Sequence, residues 1–508
     1  MVFTNFQGVL YASIGYVAFV LCRWLYRISP FHPLAKYPTP SRLAIVSQWY
    51  EFYWNGIQDG QFIFKLEEWH KKYGPIIRVG PNELHINDPE FYSIAYAPNY
   101  KFSNYTPHYN FVGTPDASMG IESNSVHKNR RIVLNPLFSK ANIYKLDKNI
   151  RRHVSKLASI VSQKAWEDKD KGIYIGKLFR CLTVDVISEY AYSESLQTLD
   201  GDPDSPFFRG MRYLLRTVWV FNFLWPIQST FQSLPYKLVR LIAPEDVRGI
   251  VDVQKLCMDQ VDEFLKDPTK ACAKSTHITI FQSLMEGNDA KSFVRLSRNA
   301  LIGEAWSLVA AGSESTGATL TAAIYEACLN VSVQEKLHQE LVEAFPDLQN
   351  DDMAYTKCEK LPYLTAFIKE VMRVAVGVPG RLPRIVPKGG TTAAGTFIPE
   401  GATVSMSIYL MHNNPDAYPD PQKFDPERWL STNSSSIEEK YLVPFSKGSR
   451  SCVGRNLAYA NLYTTLALLF RRFRFSLHED NQLTHNWADN FVRNASGQLV
   501  VSVEEYRD

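Results

Sequence analysis

Phe445-Ser446-Lys447-Gly448-Ser449-Arg450-Ser451-Cys452-Val453-Gly454 reads as F-x-x-G-x-R-x-C-x-G, five fixed positions in ten residues. That is too ordered for an ordinary buried cysteine beside a turn. A thiolate that ligates a metal must be deprotonated, screened from oxidants and open to its ligand. Arg455 to Phe470 reads as a helix, and the positive end of its dipole favours a thiolate at Cys452. Gly448 and Gly454 lack Cβ, so backbone can pass close to a large planar ligand. Phe445 can shield the sulfur, and Arg450 can pair with a carboxylate on that ligand.

The stretch resembles the haem-binding loop of the cytochrome P450 family, whose proximal Cys thiolate ligates haem iron. The resemblance implies a cytochrome P450 fold, mainly α with a small β-rich lobe near the N-terminus. It implies haem b, with Cys452 as axial ligand and Phe445, Gly448, Arg450 and Gly454 around it. Other motifs stand in the order this family requires. Ala311-Gly312-Ser313-Glu314-Ser315-Thr316 lies inside one long helical pattern from Leu296 to about Asn330. Small residues there leave room for a ligand, and a hydroxyl can bond back to a carbonyl. The segment resembles the family's oxygen-activation motif, with Ser315 where Thr is usual. Ala311, Gly312, Glu314, Ser315 and Thr316 are thereby the candidate catalytic positions.

Glu370-Val371-Met372-Arg373 and Phe424-Asp425-Pro426-Glu427-Arg428-Trp429 come later in the chain. The resemblance implies a buried network of Glu370, Arg373 and Arg428 under the haem loop. Arg384, in Arg381-Leu382-Pro383-Arg384, falls where a propionate-binding Arg sits in the family. His127 and Arg131 share a helix face at i and i+4. They take the place of a Trp-x-x-x-Arg pair directed at the haem propionates; a solvated basic helix start is the plainer reading.

Residues 1–28 read as an N-terminal transmembrane anchor, 29–45 as a proline-rich hinge and 46–508 as the haem-thiolate domain. Met1 to Cys22 carries no charge, and spanning a bilayer takes roughly 20 mostly apolar residues. The positives at Arg23 and Arg27 come after the apolar run, which places the rest of the chain in the cytosol. The alternative is a buried helix. Pro30, Pro33, Pro38 and Pro40 suggest a stiff, extended linker. Ile76–Gly80 and Glu83–Ile86 read as a hairpin, Gln498–Val503 as a last strand, and Ser332-Val333-Gln334-Glu335 as a capping box. Asn433-Ser434-Ser435 fits a glycosylation sequon that a cytosolic face leaves unused.

The chain has 508 residues, 45% hydrophobic and 13% aromatic, which suits a large apolar interior. A net charge of +3 gives no bulk argument for nucleic acid. Seven scattered cysteines without a C-x-x-C point to a reducing compartment.

The resemblance implies two electrons from NADPH, delivered through the flavins of NADPH–cytochrome P450 reductase. O2 is the oxidant, and one oxygen atom enters a C–H or C=C bond of a lipophilic substrate. Lys447 and the basic run Lys128–Arg131 are candidate docking contacts for the reductase. The implied location is the endoplasmic reticulum membrane, single-pass. Trp49-Tyr50-Glu51-Phe52-Tyr53 and His85-Ile86-Asn87-Asp88-Pro89-Glu90-Phe91 look most like fungal trichodiene-oxygenase-type members, which favours a sesquiterpene-like substrate. Polyketide or alkaloid oxidation, a haem-thiolate isomerase or dehydratase, and a non-enzymatic binding protein are the alternatives.

Overall fold

Apolar residues recur at helical spacing along most of the chain, and the architecture is accordingly helical with small sheets. A computed structural model describes residues 2–112, 116–167, 170–192, 194–226, 229–230, 234–267, 278–286, 296–348, 352–430 and 440–506. Gly113, Pro115, Phe231 and the sequon at Asn433 lie outside the described residues. The helices that position the site are α1 (Val2–Ile28), α2 (Phe62–Tyr73), α3 (Asn124–Leu137), α4 (Asp147–Glu167), α5 (Ile175–Tyr192) and α6 (Pro206–Phe223). They continue with α7 (Arg298–Leu329), α8 (Val331–Ala344), α9 (Pro362–Val374) and α10 (Arg455–Arg472).

The centre is α7, buried on most sides and started by Ser297, whose side chain accepts from the Ala300 N–H. It lies against α5 at close range, and glycines make that approach possible. A Cβ on Gly317 would stand 3.2 Å from Arg180 Cγ, and one on Gly312 3.0 Å from Ile187 Cγ1. Thr183 Oγ1 donates to Ser313 O across the contact at 2.9 Å. The main core gathers Val154, Leu157, Phe179, Trp306, Leu320, Phe367 and Phe470 from α4, α5, α7, α9 and α10.

The β-rich lobe is a five-stranded sheet in the order β1-β2-β7-β4-β3. Its strands are β1 (Ile76–Gly80), β2 (Glu83–Ile86), β3 (Ser103–Asn104), β4 (Arg384–Ile385) and β7 (Thr403–Ser405). Between β4 and β7 comes the hairpin of β5 (Thr391–Ala393) and β6 (Thr396–Ile398). Two C-terminal strand pairs complete the chain: β8 (Phe473–Leu477) paired with β11 (Val501–Glu505), and the hairpin β9 (Trp487–Asn490)–β10 (Val492–Ala495). The sequence pattern places β1–β2 correctly, while the last strand begins three residues later than Gln498.

Three expectations change. Residues 29–40 are not an extended linker but a series of turns folded onto the lobe. Leu34 is fully buried in its core, Tyr37 donates to Phe397 O at 2.6 Å, and the Arg78 N–H donates to Pro38 O at 2.7 Å. Burying Leu34 and Tyr37 outweighs the stiffness of the prolines. Ser332 does not cap α8: the N-cap is Asn330, one residue past the end of α7. With no connecting segment between the two helices, Ser332 falls inside the first turn. The third is the transmembrane anchor. α1 is 27 residues long, yet among the described residues no helix is long and apolar enough to cross a membrane. Asn5, Gln7, Ser13, Arg23 and Arg27 dilute its apolar residues.

Candidate functional site

The Cys loop is held by its backbone. The Cys452 N–H donates to Phe445 O at 2.9 Å and the Ser451 N–H to Gly448 O at 3.1 Å. Gly448 stands at φ 74°, and a Cβ there would lie 2.1 Å from Tyr96 O, so no other residue fits. Phe445 packs against Tyr459 of α10 with the rings tilted at 57° and their centres 5.2 Å apart. Cys452 comes three residues before α10 and its side chain is exposed, although the protein surrounds it on other sides. That burial raises the thiol's pKa, while the Gly454 N–H and the charges of Arg131 and Arg455 work against it. The helix end alone therefore does not lower it, whereas a metal deprotonates a ligating thiol outright.

Beneath the loop, Glu370 and Arg373 of α9 are fully buried. Arg373 forks onto Glu370 at 2.8 and 2.9 Å. Arg428 Nε donates to the same carboxylate at 3.1 Å, joined by the Asp425 N–H and Trp429 Nε1, each at 2.9 Å. Sequence reasoning named three of these groups and missed two partners. Trp429 was visible in Pro426-Glu427-Arg428-Trp429 but gave no sign of its target. His412 links the network to the loop, accepting from the Val443 N–H at 2.9 Å and bonding Arg373 O at 3.2 Å. Burial and Arg373 lower its pKa to about 3, so it is neutral.

A second cluster is cationic. Arg131 Nη1 donates to Ser451 O at 3.0 Å. Arg450 donates to Ile121 O at 2.8 Å, and to Glu122 O and Asn124 Oδ1 at 2.9 Å each. Arg384 donates to Asn104 Oδ1 at 2.7 Å and to Tyr109 OH at 3.0 Å. His127 is buried against Tyr100 OH at 3.2 Å. Its pKa falls to about 3 through burial, and next through Arg450, Arg131 and Arg384. Burial and the neighbouring Arg384 bring Arg450 down to about 10. The partners named for these three arginines are neutral groups, and the Nε atoms of Arg131 and Arg450 are buried without a hydrogen-bond partner. Buried like charges of this kind call for an anionic ligand.

The third component is α7. Among its mostly buried residues Ala311 is exposed, and Leu308 and Ser315 are half-buried. Ser315 Oγ donates to Ala311 O at 2.9 Å, the expected back-bond. Gly312 is turned toward α5, so its small size serves helix packing. Glu314 is also buried on the α5 side, where Arg180 Nε donates to it at 3.0 Å. Thr316 is buried as well. Of the five candidate catalytic positions, Ala311 is exposed, Gly312 and Ser315 are half-buried, and Glu314 and Thr316 are buried. Segment 116–124 bridges the components: Ser118 bonds Glu304 of α7, while Ile121, Glu122 and Asn124 bond Arg450.

The cytochrome P450 family model matches residues 46–500 of this chain. The chain belongs to the cytochrome P450 family. It is 34% identical to cytochrome P450 monooxygenase MO6277 of Ascocoryne sarcoides over 94% of this chain and 95% of that one. It is 32% identical to conidiogenone synthase PchP450 of Penicillium rubens, over 97% and 98%. It is 30% identical to N-acetyltryptophan 6-hydroxylase ivoC of Emericella nidulans, over 93% of each. As a P450 this chain is an oxidoreductase that uses haem iron, O2, a redox partner and a small-molecule substrate. Haem fits the residues present. A thiol stands open at a helix start, and arginines with two partnerless Nε atoms match the porphyrin's carboxylates.

Proposed function

We propose that this P450 inserts one oxygen atom from O2 into a lipophilic substrate of fungal secondary metabolism, with electrons from NADPH through the reductase. The observation that carries this is the open Cys452 thiol with Arg131 beside it and Arg450 and Arg384 in the adjoining cationic cluster. Bound haem supplies O2 binding and, pushed by the thiolate, O–O cleavage. In this reading Cys452 holds the iron, and Arg131, Arg384, Arg450 and His127 hold the porphyrin carboxylates. Phe445, Gly448 and Gly454 shape the loop around the sulfur. Ser315 Oγ holds a proton-bearing water above the cleft, and Glu314, paired with Arg180, supplies protons from the surface side. Glu370, Arg373 and Arg428 keep the loop rigid.

A sesquiterpene-like substrate is supported by the tracts at Trp49 and His85 and by the aromatic-rich α6. An indole amino acid as the substrate, hydroxylated on its ring, is the second reading, favoured by relatives named N-acetyltryptophan and tryptophan 6-hydroxylase at 30 and 31% identity. Attachment to the endoplasmic reticulum membrane, catalytic domain cytosolic, is supported by exposed apolar side chains. These are Leu10, Ile14, Val17, Phe19 and Leu25 of α1, then Phe31, Leu43, Trp49 and Ile57, then Leu241 and Ile242. Lys447 and Lys128 remain the proposed contacts for the reductase.

Reduced protein with CO should give the red-shifted Soret band of thiolate haem, lost in Cys452→Ala. Substrate-stimulated NADPH oxidation with hydroxylated product then separates a monooxygenase from an isomerase or a binding protein. A spin-state shift with a sesquiterpene or with N-acetyltryptophan chooses the substrate class.

A further inference from the structure

We propose that Glu304 sets the length of the substrate chamber, as a specificity-determining and positioning residue. The inference rests on the reading of Cys452 as the haem ligand and of the cleft above it as that chamber. Residues 304, 308, 311 and 315 lie at i, i+4, i+7 and i+11 on one face of α7. Ala311 is exposed on that face, while Leu308 and Ser315 are half-buried. Glu304, seven residues or about 10 Å before Ala311, closes the stripe and is only 2% exposed.

The carboxylate is held against segment 116–121. One oxygen, Oε1, accepts from the Ser118 N–H at 2.8 Å, from Ser118 Oγ at 2.7 Å and from the Arg130 guanidinium. Arg130 also donates to Asp116 O at 3.4 Å. The far side of the segment is fixed as well. Asn104 donates to Met119 O at 2.9 Å, Thr106 to Gly120 O at 3.0 Å and Arg450 to Ile121 O at 2.8 Å. The open face of α7 therefore ends in a wall made by Ser118 and held by one carboxylate. Removing that carboxylate leaves the Arg130 guanidinium with only the long bond to Asp116 O and leaves the Ser118 N–H without its acceptor, and a polar group in a protein interior is costly to leave so. The segment must shift to resatisfy them, and the chamber lengthens.

The test uses the full-length haem-loaded protein and a series of n-alkylimidazoles, whose nitrogen binds ferric iron and moves the Soret band. Each added methylene that finds apolar cover should tighten binding about fourfold. In the wild type the gain stops where the chain meets the wall. In Glu304→Ala the stop moves to chains longer by two or more methylenes, with imidazole itself bound within twofold of wild type. Ser118→Ala moves the stop less, and Glu304→Asp restores it. An unchanged stop in Glu304→Ala, with its CO band intact, overturns the proposal. Loss of haem in Glu304→Ala, Glu304→Gln and Ser118→Ala alike also overturns it and makes the cluster a folding element. If the wild type lacks the thiolate CO band, the reading of Cys452 fails first, which is a different result from an unmoved stop.

Discussion

Glu370 accepts from Arg373, Arg428, Trp429 and the Asp425 N–H with no exposure to solvent. Removing one partner of a buried ion pair costs about 3–5 kcal/mol, set against a total stability of about 5–15 kcal/mol. Glu370→Gln should therefore give little haem-loaded protein, measured as CO-band absorbance per protein; full occupancy and an unchanged melting temperature would contradict the geometry. Asp489 makes a pH-dependent prediction. Burial lifts its carboxyl from the ordinary 3.8 to about 7, against the Phe491 N–H and the Arg381 charge. Between those values the folded protein keeps a proton that the unfolded chain has released. Stability from this group is thus fully present below the unfolded value and is lost as pH rises from about 4 to about 7, by at most about 1.4 kcal/mol per pH unit. Asp489→Asn should flatten that part of the stability profile, and denaturant titrations at pH 5 and 7.5 would read it. Glu370 could be anticipated because Glu-x-x-Arg stands in order before the Cys loop. Asp489 could not, because its burial depends on a tertiary approach so tight that a Cβ on Gly380 would stand 2.5 Å from its Oδ2.

At the scale of elements, α7 divides its motif between two neighbours. Ser315 is half-buried on the side of Gly377, while Gly312 and Glu314 face α5. Ser315→Ala should keep NADPH consumption but divert electrons to hydrogen peroxide, lowering product per NADPH. Glu314→Gln acts through Arg180, so it should slow turnover within the about 10²–10⁴-fold range of proton transfer and leave coupling closer to normal. Equal coupling in wild type and Ser315→Ala would remove Ser315 from the proton path. The motif's presence was legible in the sequence, but its facing was not, because residues 100° apart on a helix can serve separate partners. The same limit explains the capping box. Ser332 has the right spacing to Glu335, but α7 ends one residue before Asn330 begins to act as cap. The backbone of the Cys loop was legible because part of what shapes it is local: a left-handed glycine at 448, a turn and a helix start at Arg455. The proline segment misled because Leu34 and Tyr37 bury on strands far along the chain.

At the scale of the whole molecule, α1 is joined to the catalytic domain at its C-terminal end. The Arg27 guanidinium donates to Val46 O, and Arg27 O accepts from Arg78 Nη1 at 3.0 Å. Arg78 is buried and also donates to Pro81 O at 2.8 Å. Of the large apolar side chains of α1 from Leu10 to Tyr26, all but Val20 are exposed. The helix therefore has two parts, an outer part available to a lipid surface and a last turn that belongs to the fold. Deleting residues 1–22 should move protein from the membrane pellet to the supernatant with the CO band and melting temperature retained. Deleting residues 1–28 removes the acceptor at Arg27, leaving a buried guanidinium N–H to find another partner, at a cost of about 1–3 kcal/mol. The longer truncation should melt lower than the shorter one, and the difference should shrink in Arg78→Met, which has no donor to leave unpaired, to what the lost Arg27–Val46 bond contributes. If both truncations melt alike, Arg27 is not a support for the lobe. If both stay in the pellet, the surface that binds lipid lies elsewhere, and the exposed Trp49, Ile57, Leu241 and Ile242 become the residues to change.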